Sequence, residues 1–141
     1  MTTLLLLSAL RAQIEREARA AFPHECCGLL EGAHDGDAIR ITALHPARNL
    51  AAESDRFEID PADHFAAIRT ARANGHVIVG CYHSHPNGKA EPSARDADGA
   101  WDKGFIWLIV AVSGTISREA FRRVDGGWQR LELREIAEKA A

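Results

Sequence analysis

Two histidines one residue apart, His83 and His85, followed ten residues later by Asp96, are the side chains whose types and spacing could share a metal ion. They follow directly on Val77 to Tyr82, six mostly apolar residues with no helical period, which read as a buried central strand. Successive side chains of an extended segment point to opposite faces, so both imidazoles project one way and Ser84 the other. Beyond Pro86 the loop formers Asn87-Gly88-Lys89 lead to Pro92-Ser93, and Ser93-x-x-Asp96 has the form of a helix capping pair. Asp96 thereby falls in the first turn of a helix that folds back toward the strand end. Two imidazole nitrogens and one carboxylate are the ligand count of a catalytic zinc site that keeps one position for water. Cys81 alternates on the same face and rivals Asp96 as third ligand, but it lies two residues deeper in the apolar run and ranks below it. Separately, His-x-His is an ordinary polar strand edge and Ser93-x-x-Asp96 an ordinary capping box. Their combination directly after a buried strand is what points to an occupied site.

The string His83-Ser84-His85-Pro86, six residues, Ser93, two residues and Asp96, with Glu25 far upstream in Glu25-Cys26-Cys27-Gly28-Leu29-Leu30, resembles the JAMM (MPN-plus) metallopeptidase family. The resemblance runs from Leu10 to about Leu133 and includes the Pro-x-Glu that precedes the Cys-Gly-Leu-Leu strand. It implies a zinc peptidase or isopeptidase of the JAMM/MPN, cytidine-deaminase-like fold, with one zinc ion, Glu25 as general acid/base and Ser93 helping to hold the oxyanion. Zinc on two neutral imidazoles and a carboxylate brings a bound water toward a pKa of ~7. Glu25 would take that proton and later protonate the leaving amine. Read without the resemblance, Glu25 is a solvated residue after a helix end, and Ser93 is a simple N-cap.

Small stand-alone members of the family resemble enzymes that cleave after the C-terminal Gly-Gly of a ubiquitin-like sulfur-carrier protein, whereas larger members that remove ubiquitin carry insertions. With 57 residues between Glu25 and His83 and ten between His85 and Asp96, there is little room for insertions, which favours the sulfur-carrier type. Two alternatives stay open: a deubiquitinase-like isopeptidase on other ubiquitin-like conjugates, and a non-catalytic MPN scaffold or binding module. The scaffold branch would be marked by a lost ligand or a lost Glu25, and none is lost. A zinc deaminase would show Cys-x-x-Cys, which this chain lacks.

The chain has 141 residues, the length of one domain, 1–141, able to bury a real core. With 17 basic and 20 acidic residues the net charge is −3, and no Lys/Arg cluster forms a phosphate-binding stripe, so nucleic acid is not an expected partner. Three cysteines, an odd number in apolar strand-like contexts, argue for reduced buried thiols in a cytoplasm. The run Leu4 to Leu7 lacks a basic flank and soon meets Arg11, which speaks against export, and no apolar run nears the ~20 residues of a membrane span. Oligomeric state is left open, a homodimer included.

The remaining elements must position the motif. Thr2 to Leu7 predicts a strand, and Ser8 the cap of a helix with Leu10, Ile14, Ala18 and Ala21 on one face, ended by Pro23. Cys26 to Leu30 predicts a strand that delivers Glu25 at its start, Gly32 to Gly36 a turn, and Ala38 to Leu44 a strand. His45 to Arg56 has no period and reads as a substrate-facing loop, with Phe57 to Ile59 a short strand. Asp60-Pro61-Ala62-Asp63 is a helix start, with Phe65, Ile68 and Ala71 expected on its core face and Asn74-Gly75 at its end. Phe105 to Val112 predicts another buried strand. Ile116 to Val124 and Trp128 to Leu133 predict a hairpin, and Glu135 to Ala141 a short polar helix or tail. The sum is an α/β domain with a mixed β-sheet flanked by helices. His24 is left between a substrate contact and a surface position, and His34, His45, His64 and His76 are assigned nothing.

Overall fold

The computed structural model describes residues 2–99 and 104–137, without the side chains of 97–99. The elements in chain order are β1 (Thr3–Leu7), α1 (Ser8–Ala21), β2 (Cys27–Asp35), β3 (Ala38–Ala47), α2 (Pro61–Ala73), β4 (Val77–His85), α3 (Ala94–Gly99), β5 (Ile106–Ser113), β6 (Thr115–Val124) and β7 (Gly127–Ile136). The seven strands form one mixed sheet in the order β1-β3-β2-β4-β5-β6-β7. It closes because β1 pairs parallel with β3 on one side and with β7 on the other.

This bears out the mixed sheet of the expected domain and corrects its arrangement, a sheet flanked by helices. The sheet is mixed, but it curls into a barrel that removes its own edges. The helices are few. Pattern along a strand reveals which faces are apolar, but not that the first and last strands will meet.

Alternation along the central strands sorts their side chains into two clusters. Leu30 of β2, Tyr82 of β4 and Leu108 of β5 pack with Ile14 and Ala18 of α1, while the adjacent residues Leu29, Cys81 and Trp107 pack with Ala67 of α2. Full burial of each Leu or Ile contributes roughly 1.5–3 kcal/mol, so the two faces together hold the three strands that carry the site. Close approach of β4 and β5 needs a residue without a side chain, since a Cβ at Gly80 would lie 2.0 Å from the Ile106 carbonyl oxygen.

Several boundaries differ from the sequence expectation. Leu7, in extended conformation, stands at the N-cap of α1, and Ser8 is its first residue, donating instead to the Ile136 carbonyl at 3.3 Å. β2 runs on to Asp35, and β3 to Ala47, because their antiparallel pairing carries both strands through the expected turn and into the expected loop. The short strand at Phe57 to Ile59 is reduced to a single antiparallel bridge, Asn49 with Ile59. α2 begins as expected, with Asp60 Oδ1 accepting from the Ala62 N–H at 2.9 Å and Pro61 at the first position. Its core face is only partly as expected: Ala71 is buried and Ile68 half-buried, but Ala67 is buried with them and Phe65 is 70% exposed. Small residues let α2 lie close to the sheet, and that rotation turns Phe65 outward. Part of the expected C-terminal helix is strand, since β7 includes Glu135 and Ile136, and residues 138–141 lie outside the described residues. Among the described residues no helix is long and apolar enough to cross a membrane.

Candidate metal centre

β4 does not stop at Tyr82 but continues through His83-Ser84-His85, paired with β2 on one side and β5 on the other. Extended geometry therefore holds at the motif, and the two imidazoles share a face. Ser84 points the other way, where its hydroxyl accepts the Cys26 N–H at 2.8 Å. The β2–β4 register sets Cys27 opposite His83, and extending it by two residues brings Glu25 level with His85. α3 supplies the third group through a reciprocal capping box. The Ser93 N–H donates to Asp96 Oδ2 at 2.9 Å, and the Asp96 N–H donates to Ser93 Oγ at 3.0 Å.

His83 Nε2, His85 Nε2 and Asp96 Oδ2 form a triangle with edges of 2.9, 3.2 and 3.0 Å. Ligand atoms on a tetrahedral ion with bonds of ~2.1 Å stand about 3.4 Å apart, so the triangle needs only slight expansion to hold one. A ligand atom of Glu25 lies with those of His83 and His85 inside a circle of mutual distances of 4.8 Å. All of these residues are buried. The His85 Nδ1 faces the Lys89 carbonyl at 2.9 Å, and because a carbonyl only accepts, Nδ1 carries a proton, which leaves Nε2 as the nitrogen the ring would offer to a metal. Two buried polar atoms have no partner among the described residues: Glu25 Oε1 and His83 Nδ1. An unpartnered carboxylate oxygen costs free energy that a metal-bound water would recover.

The electrostatics follow from burial and this crowding. Burial lowers the proton affinity of His83 and outweighs the pull of Asp96. Burial acts in the same direction on His85, but hydrogen bonding and charge attraction from Asp96 win and its pKa is raised. Burial opposes ionisation of Asp96, yet the two imidazoles hold its carboxyl well below the usual range. Glu25 is pushed up to about 7, chiefly by burial, with Asp96 and Asp55 adding repulsion and His85 opposing.

His83, His85, Asp96, Glu25 and Ser93 are brought together. Cys81 sits in the cluster of Leu29, Ala67 and Trp107, and burial raises its thiol pKa well above the ordinary value, which disfavours the thiolate a metal would need. His24 is exposed. Three features were not anticipated. The Phe57 ring stacks on His83 with centroids 4.3 Å apart. Asn49 bonds the Glu25 carbonyl at 2.9 Å. His45 and His76 flank a second buried glutamate, Glu31, at 2.8 and 2.7 Å. The one local signal for the last was a glutamate inside an apolar strand, which must find partners.

Residues 7–124 match the family of prokaryotic homologs of the JAB domain, Prok-JAB. A desampylase of Haloferax volcanii is 35% identical over 82% of this chain and 77% of its own length. A "Probable TtuB-protein conjugate cleaving protease" of Thermus thermophilus is 31% identical over 86% of this chain and 74% of its own. The solution structure of a Desulfitobacterium hafniense protein superposes with a TM-score of 0.87 at 31% identity, covering 97% of this chain and 94% of that one. With its motif residues gathered at one point and the chain matched from the end of β1 through β6, the protein belongs to the Prok-JAB family of small JAMM-type proteins.

Proposed function

We propose that this protein is a zinc-dependent isopeptidase that hydrolyses the bond after the C-terminal Gly-Gly of a ubiquitin-like protein of the sulfur-carrier type, acting in the cytoplasm as one domain of residues 1–141. The carrying observation is the triangle of His83, His85 and Asp96 beside a buried Glu25 whose Oε1 has no partner among the described residues. The names of the relatives, a desampylase and a conjugate-cleaving protease, support the same substrate class.

Zinc held by His83, His85 and Asp96 would supply Lewis acidity to the substrate carbonyl and bring a water toward ionisation near neutrality. Glu25, with a proton affinity near 7, accepts the proton of the attacking water and returns it to the leaving amine. Ser93 Oγ already accepts from the Asp96 N–H, so its own proton is free to donate to the developing oxyanion while its lone pair caps α3. The segment after β3, held to α2 by the Arg48 N–H on Asp63 at 2.8 Å, and the loop around Lys89 are the walls between which an extended tail would lie. A tail ending in two glycines passes such a slot where side chains would not.

The test is mass spectrometry of a ubiquitin-like carrier extended beyond Gly-Gly, before and after incubation with the zinc-loaded protein. Cleavage after Gly-Gly is expected, abolished by a chelator and by replacing the last glycine with valine. Equal cleavage of the valine carrier, or of unrelated unfolded peptides, would remove the ubiquitin-like assignment and leave a general metallopeptidase.

A further inference from the structure

Glu25 has a carboxylate oxygen with no partner among the described residues, so its aim depends on what holds its backbone. Both polar groups of the peptide unit between Glu25 and Cys26 are gripped by side chains from elsewhere in the fold. Asn49 Nδ2 donates to the Glu25 carbonyl at 2.9 Å, and Ser84 Oγ accepts the Cys26 N–H at 2.8 Å. The Ser84 N–H closes the arrangement by donating to the Cys26 carbonyl at 3.1 Å. A planar peptide unit held at both ends has its orientation fixed, and with it the position of the Glu25 Cα that the unit carries.

The Asn49 amide is fully used. Nδ2 also donates to the Arg56 carbonyl at 3.3 Å, and Oδ1 accepts from the Ala51 and Glu58 N–H groups, each at 2.9 Å. Around it the segments 48–50 and 58–60 pair, with the Leu50 N–H on the Glu58 carbonyl at 2.8 Å and the Asp60 N–H on the Arg48 carbonyl at 3.1 Å. This loop carries Phe57, whose ring lies on His83 and meets Trp107 edge-on at 5.5 Å. One side chain thus joins the peptide behind Glu25 to the loop that covers a histidine of the triangle. A loop former alone would need only the bonds inside the loop, accepted from Ala51 and Glu58 and donated to Arg56. The donated bond to Glu25 is the one that turn chemistry does not require.

We infer that Asn49 is a positioning residue, holding Glu25 at the working distance from His83 and His85 through the peptide it shares with Ser84. The inference rests on the reading of Glu25 as the proton-transferring group. Asn49→Asp separates the two halves of the amide, since a carboxylate still accepts from Ala51 and Glu58 but cannot donate to the Glu25 carbonyl or, at its longer 3.3 Å, to that of Arg56. In the zinc-loaded protein, hydrogen exchange at the Cys26 amide should accelerate by about tenfold or more in Asn49→Asp, while amides of Leu29 and Leu30 stay protected. Turnover of the Gly-Gly-extended carrier should fall roughly 10- to 100-fold in kcat, with KM within about threefold and zinc content unchanged, the size expected for a misplaced reacting group. The drop should vanish in a Glu25→Gln background measured by single turnover, because a residue acting through Glu25 has nothing left to position. Unchanged Cys26 exchange, wild-type turnover, or an equal drop in both backgrounds would each overturn the inference. Full activity of Glu25→Gln by itself would instead overturn the reading beneath it. If Asn49→Ala, which loses all four bonds, fails to fold, Asn49→Asp carries the test alone.

Discussion

Glu25 and Glu31 stand six residues apart on either side of the start of β2, each buried and each beside histidines, yet the fold treats them in opposite ways. Glu31, 1% exposed, is saturated: Oε1 faces His45 at 2.8 Å, and Oε2 faces His76 at 2.7 Å and the Asn74 amide at 3.1 Å. Burial resists its charge, but hydrogen bonds from His76, His45 and Asn74 outweigh burial and lower its pKa. Glu25, 4% exposed, keeps an oxygen without a partner among the described residues and is raised to about 7, burial being the main cause. Glu31 ties β2, β3 and the end of α2 together, whereas Glu25 is left poised with unused capacity. Satisfaction, more than burial or neighbouring histidines, separates a carboxylate that stabilises from one free to react.

The sharpest way to break the contrast is to remove a metal ligand. Asp96→Ala and His83→Ala should abolish zinc binding and all cleavage, while Glu31→Ala retains one zinc per chain by elemental analysis. Full zinc in the first two with loss in Cys81→Ala would mean a different ligand set. Next in size is Glu25→Gln, expected to keep the zinc and the fold yet lose about 10²–10⁴ in turnover, since an amide cannot accept the proton. Glu31→Ala should show the reverse behaviour. It strands Asn74 and two half-buried imidazoles and should cost on the order of 2–4 kcal/mol in urea unfolding, with turnover per folded molecule little changed.

The smallest effect is in pH dependence, and its sign differs between the two sites. The folded-state pKa of Glu31 is depressed, so its contribution is present above the unfolded carboxylate value and is lost as pH falls through the folded one. In the metal-free protein the Glu25 pKa is raised to about 7, so its contribution is full below ~4.5 and declines as pH rises to about 7. Metal-free Glu25→Gln should therefore gain stability over the wild type above pH 7, and Glu31→Gln should lose its deficit in acid. Parallel pH profiles for the two variants would show that the two carboxylates are held alike.

Much of the site was legible in the chain because its logic is local. Period-two alternation set His83 and His85 on one face, and the Ser93-x-x-Asp96 spacing is the capping box that the structure forms. Glu25 was another matter. Only the likeness to a known family singled it out, because nothing within its own segment distinguishes it from a solvated residue. His45 and His76 carry no local signal for the same reason, since their partner Glu31 is 14 and 45 residues away. Phe65 was expected inside on helical period and lies outside, because Ala67 and Ala71 give the closer packing.

By itself the sequence determined the features that arise between near neighbours: strand alternation at the two histidines, the caps of α2 and α3, and the apolar runs of β4 and β5. Tertiary structure alone decided that β1 joins β7 to close the sheet, that the β2–β4 register sets Glu25 level with His85, and that Asn49 reaches back 24 residues to its carbonyl. Alternation and capping depend on backbone geometry over a few residues, which residue order dictates directly. Register and closure depend on summed burial across strands far apart in the chain, where a shift of one residue would exchange the two faces and no local pattern records which sum is lowest.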